Sequence, residues 1–171
     1  MLWHGTRVSN IAGILKQGLR IAPPEAPVTG YMFGKGIYFA DSASKSANYC
    51  QPNADDNERV IILADVAVGN TMDVYKADYE ADKKVKSCDN DFDSTFGVGK
   101  TQPVSEGKFL GSLVPKVGKG TKECVLKDAE GVEESELQYN EYVVYDPDQV
   151  NIKFICHIKF NFGEDGKDSL W

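Results

Sequence analysis

KGIYFADSASKSANY, Lys35–Tyr49, opens on an apolar run reached through Gly34 and Gly36 and closes on a polar, helix-forming segment. Ile37, Tyr38, Phe39 and Ala40 read as a short buried strand, and the glycines ahead of it let another backbone or a ligand come close. Asp41 or Ser42 then caps a helix, because a short oxygen-bearing side chain satisfies the free N–H groups of a first turn. On that helix Lys45, Ser46 and Tyr49 are spaced by three and four residues and share a face. Tyr38 and Tyr49 can therefore stack on opposite sides of one flat ring, with the Ser46 hydroxyl on a polar substituent. Taken alone, two such tyrosines read more readily as ordinary packing.

A second segment, Leu2-Trp3-His4-Gly5-Thr6, reads as a strand whose Gly5 presents a bare peptide unit able to hold an amide in both directions. After it, Ile11, Ile14, Leu15 and Leu19 recur at helical intervals, with Ser9 as the expected cap and Gly18 as the stop. Gly13 lowers propensity inside that helix, which points to close packing or to a neighbouring ligand. By itself the segment says only that an amphipathic helix packs on a core.

Three separated pieces carry a resemblance: His4-Gly5, the run from Leu19 to Cys50, and QYNEYVVYD from Gln138 to Asp146. Together they resemble the catalytic domain of the poly(ADP-ribose) polymerases, closest to the DNA-dependent nuclear members. The likeness runs from the first residues to Ser169-Leu170-Trp171, with a divergent middle from about Asp78 to Leu137. It places His4, Tyr38 and Glu141 as the family's His, Tyr and Glu, and implies one catalytic domain over residues 1–171. The implied fold is α+β, an ADP-ribosyltransferase fold with two packed mixed sheets around an NAD cleft and few short helices. In the family, further strands and in many members a helical regulatory domain precede the Trp-His-Gly strand, so the expectation is an N-terminally truncated catalytic domain.

The resemblance also implies roles. His4 bonds the adenosine ribose, Gly5 and Ser46 hold the nicotinamide carboxamide, and Tyr38 and Tyr49 stack its ring. Thr6, Asn10, Gly13 and Arg20 line the adenosine side. The loop from Ile21 to Phe33, including Tyr31, borders the dinucleotide, stiffened by Pro23, Pro24 and Pro27, whose φ angles are fixed. Met32, Lys45 and Tyr139 surround the acceptor side. The implied activity is transfer of ADP-ribose from NAD to protein acceptors with elongation into poly(ADP-ribose), in the nucleus, in the service of DNA repair. The alternative is a catalytically silent module that binds NAD or ADP-ribose.

Glu141 is the residue such chemistry needs most. Breaking the nicotinamide–ribose bond expels a neutral base and leaves positive charge on the sugar, which a fixed carboxylate stabilises as it develops. The same group accepts a proton from an attacking hydroxyl.

Composition fits this picture without requiring it. The chain has 171 residues, enough for one domain with a sizeable core, and a formal charge of −7. Residues 1–50 hold five Lys or Arg against two Asp or Glu, whereas the rest hold fourteen against twenty-four. An anionic dinucleotide suits the first third. No basic stripe offers a grip on nucleic acid. Cys50, Cys88, Cys124 and Cys156 form no CxxC pair, and with two histidines in the chain no metal site is expected. Free buried thiols in a reduced, intracellular compartment are expected, since the sequence has neither a signal peptide nor a long apolar run that would engage a membrane.

Two motifs mislead. Gly99-Lys100-Thr101 resembles the end of a P-loop, but Ser94 stands where the first glycine belongs and the polar run KSCDNDFDS stands where the strand belongs. Gly34 and Gly36 begin a GxG pair that lacks the third glycine, because position 39 is Phe. Elsewhere Arg59–Val68 and Glu141–Tyr145 read as apolar strands, and Val150–Phe162 alternates at period two, with His157 on the face opposite Phe154, Cys156, Ile158 and Phe160 and read as structural or solvent-facing. Lys76 to Leu137 reads as long loops with short strands.

Overall fold

The computed structural model describes residues 1–23, 25, 30–87, 89, 91–116, 124–126 and 131–162, without the side chains of 116 and 124–126. Pro24, Pro27, Cys88, Ser169, Leu170 and Trp171 lie outside the described residues, as does the side chain of Cys124. In chain order the elements are β1 (Leu2–Gly5), α1 (Val8–Gln17), β2 (Ile37–Phe39), α2 (Ala43–Ala47), β3 (Glu58–Val66), β4 (Thr71–Val74), α3 (Ala81–Val85), β5 (Ser94–Gly97) and β6 (Thr101–Pro103). They continue with β7 (Ser105–Phe109), β8 (Ser112–Lys116), β9 (Cys124–Leu126), β10 (Glu141–Val144) and β11 (Val150–Lys159).

The expected α+β arrangement with few short helices is borne out. A three-stranded sheet in the order β1-β3-β11 is antiparallel throughout, and a four-stranded sheet in the order β2-β10-β5-β4 is mixed, because β4 runs parallel to β5. Two small ladders, β6-β9 and β7-β8, complete the described strands. Trp3 joins the two main sheets: its N–H donates to the Ala40 carbonyl at 2.8 Å and its carbonyl accepts from the Ala40 N–H at 2.9 Å. The site grows at this junction.

Burial explains why these segments are strands. In β3, Ile61, Ile62, Leu63 and Ala64 are all buried, as a strand covered on both faces requires. In β11 the residues alternate between half-buried and exposed, and His157 lies on the exposed face with Nε2 at 3.1 Å from Glu58 Oε2. Val143 and Val144 of β10 are fully buried between β2 and β5. One cluster, with Leu2, Leu19, Phe39, Ile62 and Val144, receives Ile11 and Ile14 of α1; a second gathers Phe33, Leu137, Val143 and Tyr145.

Three expectations need correction. Helix α1 begins at Val8, with Arg7 in extended conformation at its cap and no side-chain cap bond, so Ser9 is inside the helix. The end of β1 delivers the chain straight into the first turn, and the cap chemistry is dispensable. Leu15 is exposed, leaving Ile11, Ile14 and Leu19 as the packed positions. Close packing is not the reason for Gly13, since a Cβ there would meet no atom within 4 Å.

The polar middle is also more ordered than its composition suggests. Ala81 and Val85, one turn apart and both buried, seat α3. Ser94 and Thr95 are fully buried in β5, where Ser94 Oγ donates to the Val68 carbonyl at 2.6 Å and Thr95 Oγ1 meets the Tyr145 hydroxyl at 2.8 Å. A strand therefore does precede Gly99, but β6 and not a helix follows it, so the segment still lacks the P-loop form.

Candidate active site

A cavity of about 980 Å³ opens at the sheet junction, lined by residues from β1, α1, the loop before β2, β2 itself, α2 and the first residue of β10. It brings together His4, Gly5, Thr6, Asn10, Gly13, Arg20, Tyr31, Met32, Tyr38, Lys45, Ser46, Tyr49 and Glu141. Tyr139 stands apart, in an adjoining cavity of about 570 Å³ whose walls include Lys45 and Tyr49. These two residues of the α2 segment are therefore shared between the two cavities. Glu141 is the one acid among the described residues that line the larger cavity, against Arg7, Arg20 and Lys45.

Strand β1 offers the cavity a main-chain edge. Along an antiparallel strand successive N–H and C=O groups point to alternate sides. Trp3 turns its pair toward Ala40, so Gly5, two residues on, turns its own to the same side, away from β3. Glycine is obligatory there, because a Cβ would lie 1.6 Å from the Ser46 carbonyl oxygen. α2 thus sits directly against the Gly5 peptide unit. Ser42 caps α2 by accepting from the Lys45 N–H at 3.4 Å, and the helix tightens into a 3₁₀ turn over Asn48–Cys50. Ser46, buried, donates its hydroxyl to the Trp3 carbonyl at 2.9 Å, and its remaining lone pairs are available as acceptors.

His4 has a defined tautomer. Its Nδ1 lies 2.8 Å from the Tyr38 carbonyl oxygen, which can only accept, so Nδ1 carries the proton and Nε2 is left as an acceptor. Burial pushes the imidazole below its ordinary range, with the bond to Tyr38 opposing, which keeps it neutral. The ring packs on Phe39 at 5.6 Å between centroids. A neutral imidazole presenting Nε2 suits a sugar hydroxyl as donor.

Tyr38 brings a ring to the cavity while its hydroxyl is engaged elsewhere. The hydroxyl accepts from the Phe33 N–H at 2.9 Å and donates to the Gly34 carbonyl at 2.7 Å, pinning the turn before β2. Burial raises its pKa well above the usual phenol value, so it stays protonated. Its contribution is therefore the ring face, beside Tyr31 at 6.2 Å between centroids. Tyr49 is exposed, with Lys45 Nζ 5.8 Å above its ring.

Glu141 begins β10 opposite Gly97 of β5, and its side chain is 9% exposed. Lys45 Nζ lies 2.7 Å from its Oε1. Burial works against the charge on Lys45, but the Glu141 carboxylate in contact and, after it, Tyr49 together raise the lysine's pKa on balance. A carboxylate held in one direction by a permanent cation can face a developing positive charge without reorganising.

Other contributors were not evident from the sequence. Gly99-Lys100-Thr101 clamps the chain leading to Glu141: the Lys100 N–H donates to the Leu137 carbonyl and the Thr101 N–H to the Gln138 carbonyl, both at 2.9 Å. A Cβ on Gly99 would lie 2.2 Å from the Tyr139 carbonyl carbon. Arg7 and Gln17 line the cavity as well, and the position of Arg7 one residue after Thr6 was the available signal. Among the described residues no cluster of three or more His, Cys, Asp or Glu is placed to hold a metal ion, and no helix is long and apolar enough to cross a membrane.

Residues 1–160 match the family model of the poly(ADP-ribose) polymerase catalytic domain. The chain is 48% identical over 165 residues to poly [ADP-ribose] polymerase 2 of Arabidopsis thaliana, covering 95% of this chain and 24% of that protein. It is 47% identical over 173 residues to poly [ADP-ribose] polymerase 1 of Gallus gallus, covering 100% and 15%, and 46% identical over 165 residues to poly [ADP-ribose] polymerase 2 of Homo sapiens, covering 95% and 27%. The chain thus spans between about one seventh and about one quarter of the length of these relatives. By this match over residues 1–160 and these identities, the chain belongs to the poly(ADP-ribose) polymerase catalytic domain family.

Proposed function

We propose that this chain is an NAD+ ADP-ribosyltransferase that moves ADP-ribose onto protein acceptors and extends it into poly(ADP-ribose), with residues 1–171 acting as one catalytic domain. The observation that supports this most is the Lys45–Glu141 pair at 2.7 Å, at a cavity that His4, Gly5, Tyr38 and Ser46 also line.

In this reading the nicotinamide ring lies between Tyr38 and Tyr49, its carboxamide on the Gly5 peptide unit and on Ser46. His4 Nε2 accepts from an adenosine ribose hydroxyl, and Thr6, Asn10, Gly13, Arg20 and Tyr31 border the rest of the dinucleotide. When the bond between the ribose anomeric carbon and the ring nitrogen breaks, its electron pair leaves with neutral nicotinamide and the sugar becomes positive. Glu141 faces that charge and takes the proton from the acceptor hydroxyl as the new bond to the anomeric carbon forms. Met32, Lys45 and Tyr139 serve the acceptor. The fold holds NAD without a Rossmann unit, needs no metal in this reading, and works in the nucleus without gripping nucleic acid or membrane itself.

The test is transfer of label from adenylate-labelled NAD to protein. Glu141→Gln should lower turnover about 10²–10³-fold, as removal of one preorganised electrostatic group does, while benzamide still binds. Binding with no transfer by the parent chain identifies a silent NAD-binding module instead.

A further inference from the structure

Asp41 and Asn140 meet where the two arms of the site leave the core. Asp41 immediately precedes Ser42, the cap of α2, and α2 carries Lys45 and Ser46. Asn140 immediately precedes Glu141, the first residue of β10. Both side chains are buried, 5% and 3% exposed. Asn140 Nδ2 donates to Asp41 Oδ2 at 2.6 Å, the short separation of a hydrogen bond to a carboxylate.

The other end of the amide is fixed as well. Asn140 Oδ1 accepts from the Gly99 N–H at 3.0 Å, and because a backbone N–H only donates, the amide has one orientation. The Tyr142 hydroxyl lies 3.5 Å from the same Asp41 oxygen, and its ring stacks on Phe96 of β5 at 4.7 Å. One carboxylate on the α2 side is thus held by two groups from the β10 side.

We infer that Asp41 and Asn140 are positioning residues that set the separation of Lys45 from Glu141 and, with it, the direction of the Glu141 carboxylate. The inference rests on Glu141 being the transferring carboxylate. Neither residue touches the cavity; they act through the two elements that carry the pair. Lys45 is four residues beyond Asp41 and Glu141 is one beyond Asn140, so a change in the buried bond reaches both partners of the ion pair at once.

A polarity swap tests it. Asn140→Asp replaces the donor facing Asp41 with an acceptor and sets two carboxyl groups against each other. In the double variant Asp41→Asn/Asn140→Asp the donor moves to position 41, while an oxygen at position 140 still meets the Gly99 N–H. The single variant should lower kcat about 10- to 100-fold, the effect of a misplacement near 1 Å. Its benzamide Kd should change less than about threefold, since uniform ring binding is separate from transition-state stabilisation. Its crystal structure should show the Lys45–Glu141 contact, 2.7 Å in the parent, opened past roughly 4 Å, the limit of an ion pair.

The double variant should restore the contact and bring kcat back to within about threefold, as expected for residues coupled through one bond. A folded Asn140→Asp protein with parental kcat and an unbroken Lys45–Glu141 contact overturns the inference. So does a double variant that stays slow or does not fold. If the single variant does not fold, the double variant decides alone, in the same two directions. If the parent transfers nothing, the functional reading has failed, and the Lys45–Glu141 contact in the two crystal structures still decides the positioning.

Discussion

Gly5→Ala is the smallest substitution that reports on the site. An ideal Cβ at position 5 would lie 1.6 Å from the Ser46 carbonyl oxygen and 2.6 Å from its carbon. Both atoms are backbone, so no change of rotamer relieves the clash. Ordinary contact requires β1 and α2 to part by roughly 1.8 Å, more than a packed core absorbs without cost. β1 cannot recede easily, because Leu2–Gly5 is paired with β3 and Trp3 is bonded to Ala40. α2 is held by its Ser42 cap and by the Ser46 bond to Trp3. The expected loss is at the upper end of overpacking, about 3 kcal/mol, which lowers Tm by roughly 6–12 °C in a chain of this size. Displacing Ser46 also disturbs two or so hydrogen bonds proposed for a carboxamide, at about 1 kcal/mol each or somewhat more, so benzamide affinity should fall about 30- to 100-fold. Gly13→Ala is the matched control: a Cβ there meets nothing within 4 Å, and removing a helical glycine should stabilise by about 0.5–1 kcal/mol. Thermal melts and calorimetric titration with benzamide read both variants. A Gly5→Ala protein with parental Tm and parental affinity refutes the contact between β1 and α2 and the carboxamide edge built on it.

Tyr38→Phe keeps the ring and loses the bonds to Phe33 and Gly34; it should cost about 1–3 kcal/mol of stability and leave benzamide affinity nearly unchanged, whereas a large affinity loss at intact stability would show that the hydroxyl contacts the ligand. His4, held below its ordinary pKa by burial, gives a pH test. The unfolded chain takes up the imidazole proton first, so the contribution of His4 to stability is whole above about pH 6.5 and is lost as pH falls from there through the folded value. Denaturant titrations from pH 7.5 to pH 5 should show the unfolding free energy of the parent falling more steeply than that of His4→Gln, and equal slopes would contradict a buried neutral His4. Lys45→Ala removes the Glu141 partner; polymer elongation should fall while benzamide affinity stays within about threefold, since remote groups used only in the transition state move kcat. Normal elongation, or a large loss of benzamide affinity, would place Lys45 in a different role.

What the sequence revealed of the fold depended on whether polarity tracked burial. β3, β10 and β11 were legible because their apolar residues face the core, continuously in β3 and alternately in β11. β5 was hidden because its buried Ser94 and Thr95 satisfy their hydroxyls internally, at Val68 and Tyr145, and look like loop residues. α3 was hidden by brevity: Ala81 and Val85 give a single helical repeat inside a charged run. Gly99-Lys100-Thr101 carries no motif in the sequence that names a use for it. Its use is mechanical, since its peptide groups bind the segment from Leu137 to Asn140. Spacing along a chain cannot show a contact of that kind, because the partners are about forty residues apart and most of the groups that meet are main chain.

The candidate site divides along the same line. The residue types were legible, while their orientation comes from backbone groups that no motif names. The Tyr38 carbonyl fixes the tautomer of His4, the Trp3 carbonyl accepts the hydrogen bond of the Ser46 hydroxyl, and the Gly5 peptide unit faces the cavity because Trp3 is bonded to Ala40. All three depend on one crossing, where β1 of the antiparallel sheet meets the end of β2 of the mixed sheet. Phe39 and Ala40, each 2% exposed, hold that crossing from inside the core. Volume changes at these two positions should therefore register in the site as strongly as changes to the polar residues that line it, because closely packed interiors transmit displacement instead of absorbing it.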